Sequence, residues 1–179
     1  MCGIFGLITS RESNYEPSFL KTSFFDLALL SQSRGKDSSG ICFLEENDDS
    51  FTIFKGPLSI SQLIKNKKVK GSLIENLKAQ NKVKFLIGHA RLVTNGTQLN
   101  EQNNQPVIKD DVIGIHNGII TNSDFIWENK KNLKKDYEID TEIILSLLRD
   151  YFNTGNTLDE SIIKILNQVE GSASIALVP

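Results

Sequence analysis

With 179 residues, 39% of them hydrophobic and 23% charged, the chain can bury one globular core with a pocket and needs no metal or disulfide staple. A formal net charge of −2 leaves no electrostatic footprint for nucleic acid or an anionic membrane surface, and no stretch approaches the ~18 apolar residues of a spanning helix. The start lacks a signal peptide's basic segment and long apolar run, and Cys2 and Cys42 make no disulfide framework, so a soluble, cytoplasmic protein is expected.

The chain opens Met1-Cys2-Gly3-Ile4-Phe5-Gly6. Removal of Met1 would leave a cysteine bearing a free α-amine, a nucleophile and a base on one residue. Thiols and α-amines have reference pKa values of about 8.5 and about 7.7–8.0, so at cellular pH such an amine can draw off the thiol proton, directly or through water. Taken alone, Cys2 reads more readily as a small buried hydrophobe. Its setting argues otherwise. The apolar run 4–8, broken by Gly6 and preceded by Gly3, reads as a strand that fixes the terminus in the core, with glycines where a substrate or another backbone comes close.

Apolar residues at Leu20, Phe24, Leu27, Ala28 and Leu30 predict an amphipathic helix over about 17–33, opening at Pro17 and ending before Gly35. Runs 40–44 and 51–55 predict a hairpin around the polar stretch 45–50. Within 57–82, the spacing of Ile60, Leu63 and Ile64, and of Leu73, Ile74 and Leu77, predicts short surface helices. The lysine clusters at 65–70 and 130–135 read as solvated faces. Runs 83–89 and 112–116 have strand length, each followed by small polar residues of the kind that carry function in loops: Ala90-Arg91 and Asn117-Gly118. Asn122 or Ser123 should cap a helix to about Leu133, and Asp140-Thr141 one to about Phe152. Thr157 to Glu160 forms a capping-box pattern that opens a helix stopping at Gly171, and 172–178 is a last strand. The order predicts an α+β layered domain without repeats or linkers. His89 and His116 have no metal-ligand spacing with either cysteine.

Packing alone does not explain the polar residues of Cys2-Gly3, Arg34-Gly35-Lys36-Asp37-Ser38-Ser39-Gly40, Gly88-His89-Ala90-Arg91-Leu92-Val93-Thr94-Asn95-Gly96, His116-Asn117-Gly118 and Asp140-Thr141-Glu142. An amide-cleaving thiol needs a base, oxyanion donors and groups that hold the substrate's charged ends. The Cys2 amine can be the base, and the Asn117 side chain with the Gly118 N–H can supply the oxyanion donors. Arg91 suits a carboxylate and Asp140 an ammonium, although an N-cap role accounts for an aspartate at 140 at least as well. A substrate with an α-carboxylate, an α-ammonium and a side-chain amide is glutamine.

CGIFG at the start, RGKDSSGI at 34–41, GHARLVTNG at 88–96, HNGII at 116–120 and DTEII at 140–144 together resemble the class II glutamine amidotransferases, enzymes with an N-terminal-nucleophile glutaminase domain. HNGII and DTE are most similar to the glutamine-fructose-6-phosphate aminotransferase branch. RGKDSSG is also similar to blocks of asparagine synthetases and purine amidophosphoribosyltransferases. The resemblance implies a four-layer αββα sandwich over residues 1–179, with Cys2 as nucleophile and Asn117 and Gly118 as oxyanion hole. Arg91, Thr94, Asp140, Arg34 and Gly35 would bind substrate or form the loops beside it. It implies no metal or organic cofactor, a reaction that yields glutamate and ammonia, and an ammonia-using synthase or isomerase domain in cis or in trans. Self-association is compatible with it. The chain also departs from the family. Leu92 and Asn95 stand where the aminosugar branch carries Trp and His, and Asn103-Asn104-Gln105-Pro106 lacks that branch's histidines. The family's glutaminase domain runs on beyond the position of Pro179, so a domain truncated at its C-terminus, without its synthase domain, is expected. The alternatives are another amide hydrolase of this fold, a glutaminase serving an asparagine-synthetase-like or phosphoribosyl acceptor, and a non-catalytic glutamine sensor or remnant.

Overall fold

Two antiparallel sheets stack face to face in this computed structural model, which describes residues 2–45, 50–78, 84–93 and 96–179. The chain runs β1 (Gly3–Thr9), α1 (Pro17–Ser31), β2 (Ser38–Leu44), β3 (Phe51–Gly56), α2 (Ile60–Lys65), α3 (Lys67–Lys78), β4 (Lys84–Arg91), β5 (Val107–Lys109), β6 (Val112–Ile120), α4 (Ser123–Asn129), α5 (Thr141–Asn153), α6 (Leu158–Gln168) and β7 (Gly171–Val178). The first sheet has strand order β1-β4-β2-β3 and the second β5-β6-β7.

Period-two alternation divides each strand between two cores. Phe5, Ile41, Phe43 and Leu86 face outward from the first sheet and pack with Leu20, Phe24 and Ala28 of α1 and with α2 and α3. Ile4, Cys42, Ile53 and Ile87 face inward and meet Ile113, Ile115 and Ala176 of the second sheet. Val112 and Ile120 on the far face of that sheet pack with Ile143, Ile144, Leu147 and Leu148 of α5 and Ile165 of α6. Helices, sheet, sheet and helices are therefore the expected four layers of an α+β sandwich.

Several expected boundaries move for local reasons. Helix α1 stops at Ser31 and tightens into a 3₁₀ turn over Gln32–Arg34. Helix α4 ends at Asn129 rather than near 133, and Asn122 occupies its N-cap position as expected but makes no side-chain cap bond. The Asn122 carboxamide instead bonds the Gln168 carbonyl and the Glu170 N–H, tying α4 to the entry of β7. The capping box of Thr157 and Glu160 forms on α6 as expected, but that helix ends at Gln168, and Gly171, at φ 124°, opens β7. Val107–Lys109 forms a strand that the apolar pattern did not predict, joined to β6 by the two-residue turn Asp110-Asp111. Both aspartates have positive φ (52° and 61°), the geometry of a type I′ hairpin turn, which Asp tolerates better than most residues. Much of the expected turn at 45–50, residues 46–49, lies outside the described residues.

The largest difference concerns Ala90-Arg91 and Asn117-Gly118. Both pairs lie within strands rather than in loops beyond them. Arg91 pairs with Ser38 across β4 and β2, while Asn117 and Gly118 pair with Ser174 and Ala173 across β6 and β7. Strand partners distant in sequence extend these strands past the end of their apolar runs.

Candidate active site

Cys2 immediately precedes β1, whose Gly3 pairs with Ala90, so the β4 end that carries Arg91 runs alongside it. The Cys2 backbone nitrogen donates to Asn117 Oδ1 at 3.2 Å, joining the head of the first sheet to the middle strand of the second. Removal of Met1 would make this same nitrogen the α-amine. With Oδ1 turned to the nitrogen, the Asn117 carboxamide keeps two N–H donors for another partner. The Cys2 thiol donates to the Leu92 carbonyl at 3.5 Å, and the Cys2 carbonyl accepts from Arg34 Nε at 3.0 Å. Cys2 is partly exposed, whereas Cys42 is fully buried and burial pushes its thiol up to about 12, leaving it inert.

Arg34 and Gly35 form the neighbouring wall. A Cβ on Gly35 would lie 2.3 Å from the Arg91 carbonyl carbon, so only glycine lets this loop lie against the β4 end. The Asp37 N–H donates to the Arg91 carbonyl at 3.0 Å, and its carboxylate accepts from the Val93 N–H at 2.8 Å. Ser33, Arg34, Gly35, Lys36, Asp37 and Leu92 line an open hollow of about 640 Å³ beside the thiol.

Arg91 is 4% exposed, its guanidinium donating to Asn104 Oδ1 (3.2 Å) and to the Gly96 carbonyl (3.3 Å). Burial pulls its pKa below the ordinary arginine value, while Cys2, Asp140 and Asp37 act the other way. Asp140 occupies the N-cap position of α5 but makes no side-chain cap bond. Its Oδ2 accepts from the Ile120 N–H at 2.8 Å, and its Oδ1 lies 3.7 Å from His116 Nδ1. The capping account of this aspartate is therefore corrected. Burial opposes its ionisation, but the His116 ring and the Ile120 N–H outweigh burial and hold the carboxyl below its usual range. Gly118 packs so tightly that a Cβ would sit 1.9 Å from the Ser172 carbonyl oxygen.

Cys2, Arg34, Gly35, Arg91, Asn117, Gly118 and Asp140 thus gather at the upper ends of β1, β4 and β6 and the start of α5. Thr94 and Asn95 lie outside the described residues. Sequence reading missed the buried support beneath them: Asn103, Asn104 and Gln105, and the histidine pair. His116 Nδ1 lies 3.3 Å from Thr141 Oγ1. His89 is fully buried between the sheets, with neither ring nitrogen hydrogen-bonded among the described residues, and burial with help from Arg91 pushes it down to about 3. The signal for the support was the run of four carboxamides Gln102-Asn103-Asn104-Gln105, which must find partners where buried. Among the described residues no cluster of His, Cys, Asp and Glu side chains could hold a metal ion, and no helix is long and apolar enough to cross a membrane.

A family model described as a glutamine amidotransferase domain matches residues 89–179. The chain is 30% identical to a glutamine–fructose-6-phosphate aminotransferase (isomerizing) of Shouchella clausii and 31% identical to one of Staphylococcus aureus, in each case over 99% of this chain and 27% of the relative. It therefore spans about a quarter of the length of these curated relatives. A glutamine phosphoribosylpyrophosphate amidotransferase from B. subtilis superposes with a TM-score of 0.67 at 23% identity, covering 99% of this chain and 35% of that one. A structure described as the allosteric regulatory enzyme of purine biosynthesis superposes with a TM-score of 0.69 at 24% identity, over the same shares. At these identities the two structures speak for the fold alone.

Proposed function

The chain belongs to the glutamine amidotransferase domain family, and on that premise we propose that residues 1–179, once Met1 is removed, act as a glutaminase domain with Cys2 as the nucleophile. The observation that carries this reading is the bond from the Cys2 nitrogen to Asn117 Oδ1, which sets a nitrogen able to serve as base, the thiol on the same residue and a carboxamide donor around one point.

In the reaction, the Cys2 α-amine takes the thiol proton and Sγ attacks the side-chain carbonyl carbon of glutamine. Charge develops on the carbonyl oxygen, which the Asn117 Nδ2–H and the Gly118 N–H stabilise. Collapse of the tetrahedral intermediate breaks the C–N bond, and the amine returns the proton to the leaving nitrogen, which departs as ammonia. A γ-glutamyl thioester remains on Sγ. Water, deprotonated by the same amine, attacks it to release glutamate and restore the thiol. Arg91 pairs with the substrate α-carboxylate and Asp140 with its α-ammonium, two charge-assisted contacts that exclude amides lacking either group. Arg34 and Gly35 shape the wall beside Cys2, and the family resemblance assigns Thr94 to substrate binding. No step calls for a metal or organic cofactor.

The ammonia serves a synthase domain, in the same polypeptide or another, acting on a sugar phosphate such as the acceptor in the names of the curated relatives. Ammonia release from glutamine by chain whose free Cys2 terminus has been verified by mass spectrometry tests the reading. Undiminished release by Cys2→Ala would refute it.

A further inference from the structure

Asn103, Asn104 and Gln105 are 0%, 0% and 7% exposed, a run of three buried carboxamides on the segment that leads from β4 to β5. Buried amides without partners are costly, and these are tied in three directions. Asn103 donates to the Thr97 carbonyl within its own segment and to Glu138 Oε2 (2.7 Å) just before α5. Asn104 Oδ1 accepts from Arg91 Nη1, and its Nδ2 donates to the Gln98 carbonyl at 2.7 Å. Gln105 grips one backbone residue at two points: its Oε1 accepts from the His116 N–H at 2.6 Å, and its Nε2 donates to the His116 carbonyl at 2.9 Å.

The grip has a topological cause. In the β5–β6 register Val107 faces Gly114, so a continued strand would place Gln105 opposite His116. The main chain instead turns toward the first sheet, where the Gln105 carbonyl lies so close to Gly40 that a Cβ there would be 2.2 Å away. The Lys55 ammonium holds the carbonyls on either side, Asn104 at 2.9 Å and Pro106 at 3.0 Å. The Gln105 side chain, with the donor and acceptor of a peptide unit, then takes the ladder bonds that the departing main chain gives up. His116 directly precedes Asn117 and Gly118.

We propose that Asn104-Gln105 is a positioning strap, bolted to the first sheet by its main chain, whose two side chains serve different parts of the reaction. Asn104 orients the Arg91 guanidinium for the substrate carboxylate, and Gln105 fixes β6 so that Asn117 and Gly118 meet the oxyanion. The proposal rests on the glutaminase reading and goes beyond it in dividing binding from chemistry between adjacent residues.

Steady-state ammonia release by mature wild type, Asn104→Ala, Gln105→Ala and Gln105→Glu tests the strap. Asn104→Ala should raise KM for glutamine about tenfold with kcat within about threefold, and Gln105→Ala should do the reverse, each the loss of one or two buried hydrogen bonds. Gln105→Glu adds a readout that a merely structural role would not move. Its protonated carboxyl reproduces the donor and acceptor of the amide and its ionised form does not, so its kcat relative to wild type should recover as pH falls, with no recovery in Gln105→Ala. Hydrogen exchange across 116–118 should quicken in Gln105→Ala and stay unchanged in Asn104→Ala. Equal changes of kcat and KM in both alanine variants, or no change in either, would overturn the strap while leaving the glutaminase reading intact. A mature wild type that releases no ammonia would overturn both.

Discussion

Under the proposed mechanism, replacing Asn117 removes two contacts at once, because Oδ1 of the carboxamide faces the Cys2 nitrogen and Nδ2 is assigned to the oxyanion. Loss of one oxyanion donor costs about 10²–10³ in kcat, or about 2.7–4 kcal/mol. Loss of the 3.2 Å bond to the Cys2 nitrogen adds about 0.5–1.5 kcal/mol. Asn117→Ala should therefore lose roughly 3–5.5 kcal/mol of transition-state stabilisation, seen mainly in kcat, with a melting midpoint close to wild type because the residue is only half-buried. Asn117→Asp keeps the acceptor but removes the donor and places a carboxylate beside the α-amine. The added charge favours the ammonium form, so the amine becomes a free base only at higher pH and the acid limb of the kcat profile should move upward. Ammonia release followed across a pH series for both variants checks this. If Asn117→Ala kept kcat within about threefold of wild type, or changed only KM, the oxyanion assignment would be wrong.

Asp140→Asn should raise KM for glutamine about tenfold or more, the worth of a charge-assisted contact, with a smaller effect on kcat; an unchanged KM would remove Asp140 from the substrate site. His89 is pushed down to about 3 in the fold, whereas the unfolded chain protonates it near 6.5. Acid therefore favours the unfolded chain, and stability should fall by up to about 1.4 kcal/mol per pH unit as pH drops from 6.5 toward 3. Urea midpoints measured over that range should depend less on pH in His89→Gln, and an equal slope in both proteins would count against the buried neutral histidine. Phe24 is fully buried, with its ring centroid 5.3 Å from that of Phe5, so Phe24→Ala should cost about 3–5 kcal/mol in denaturant unfolding. A loss under about 1 kcal/mol would mean that the outer core is not packed as described.

Local signals in the chain exposed most of the architecture. The spacing of Leu20, Phe24 and Ala28 and the Thr157–Glu160 capping box act within a few residues, and both formed as expected. What depended on distant partners was hidden. Asn117 and Gly118 read as a loop because the apolar run ends at His116, yet pairing with Ser174 and Ala173 keeps them in a strand. Asp140 read equally as a cap because Asp suits that position on any helix, and only the return of Ile120 beside it gave its carboxylate another donor. Gln105 was invisible as a grip because its partner, the His116 backbone, has the same two groups as any other residue. The side chains proposed to carry the chemistry stood out by residue type, and the buried carboxamides beneath them became legible only through the register of β5 and β6.

The central claim is that Cys2 acts through its own free α-amine. The direct measurement is ammonia release from glutamine by two preparations of the same chain, one with Met1 removed and one with Met1 retained, each verified by intact mass. Activity confined to the preparation with free Cys2, and proportional to the fraction processed, is the predicted result. Equal turnover by the Met1-retaining chain would contradict the account, because the Cys2 nitrogen would then be a peptide N–H with no capacity to take the thiol proton.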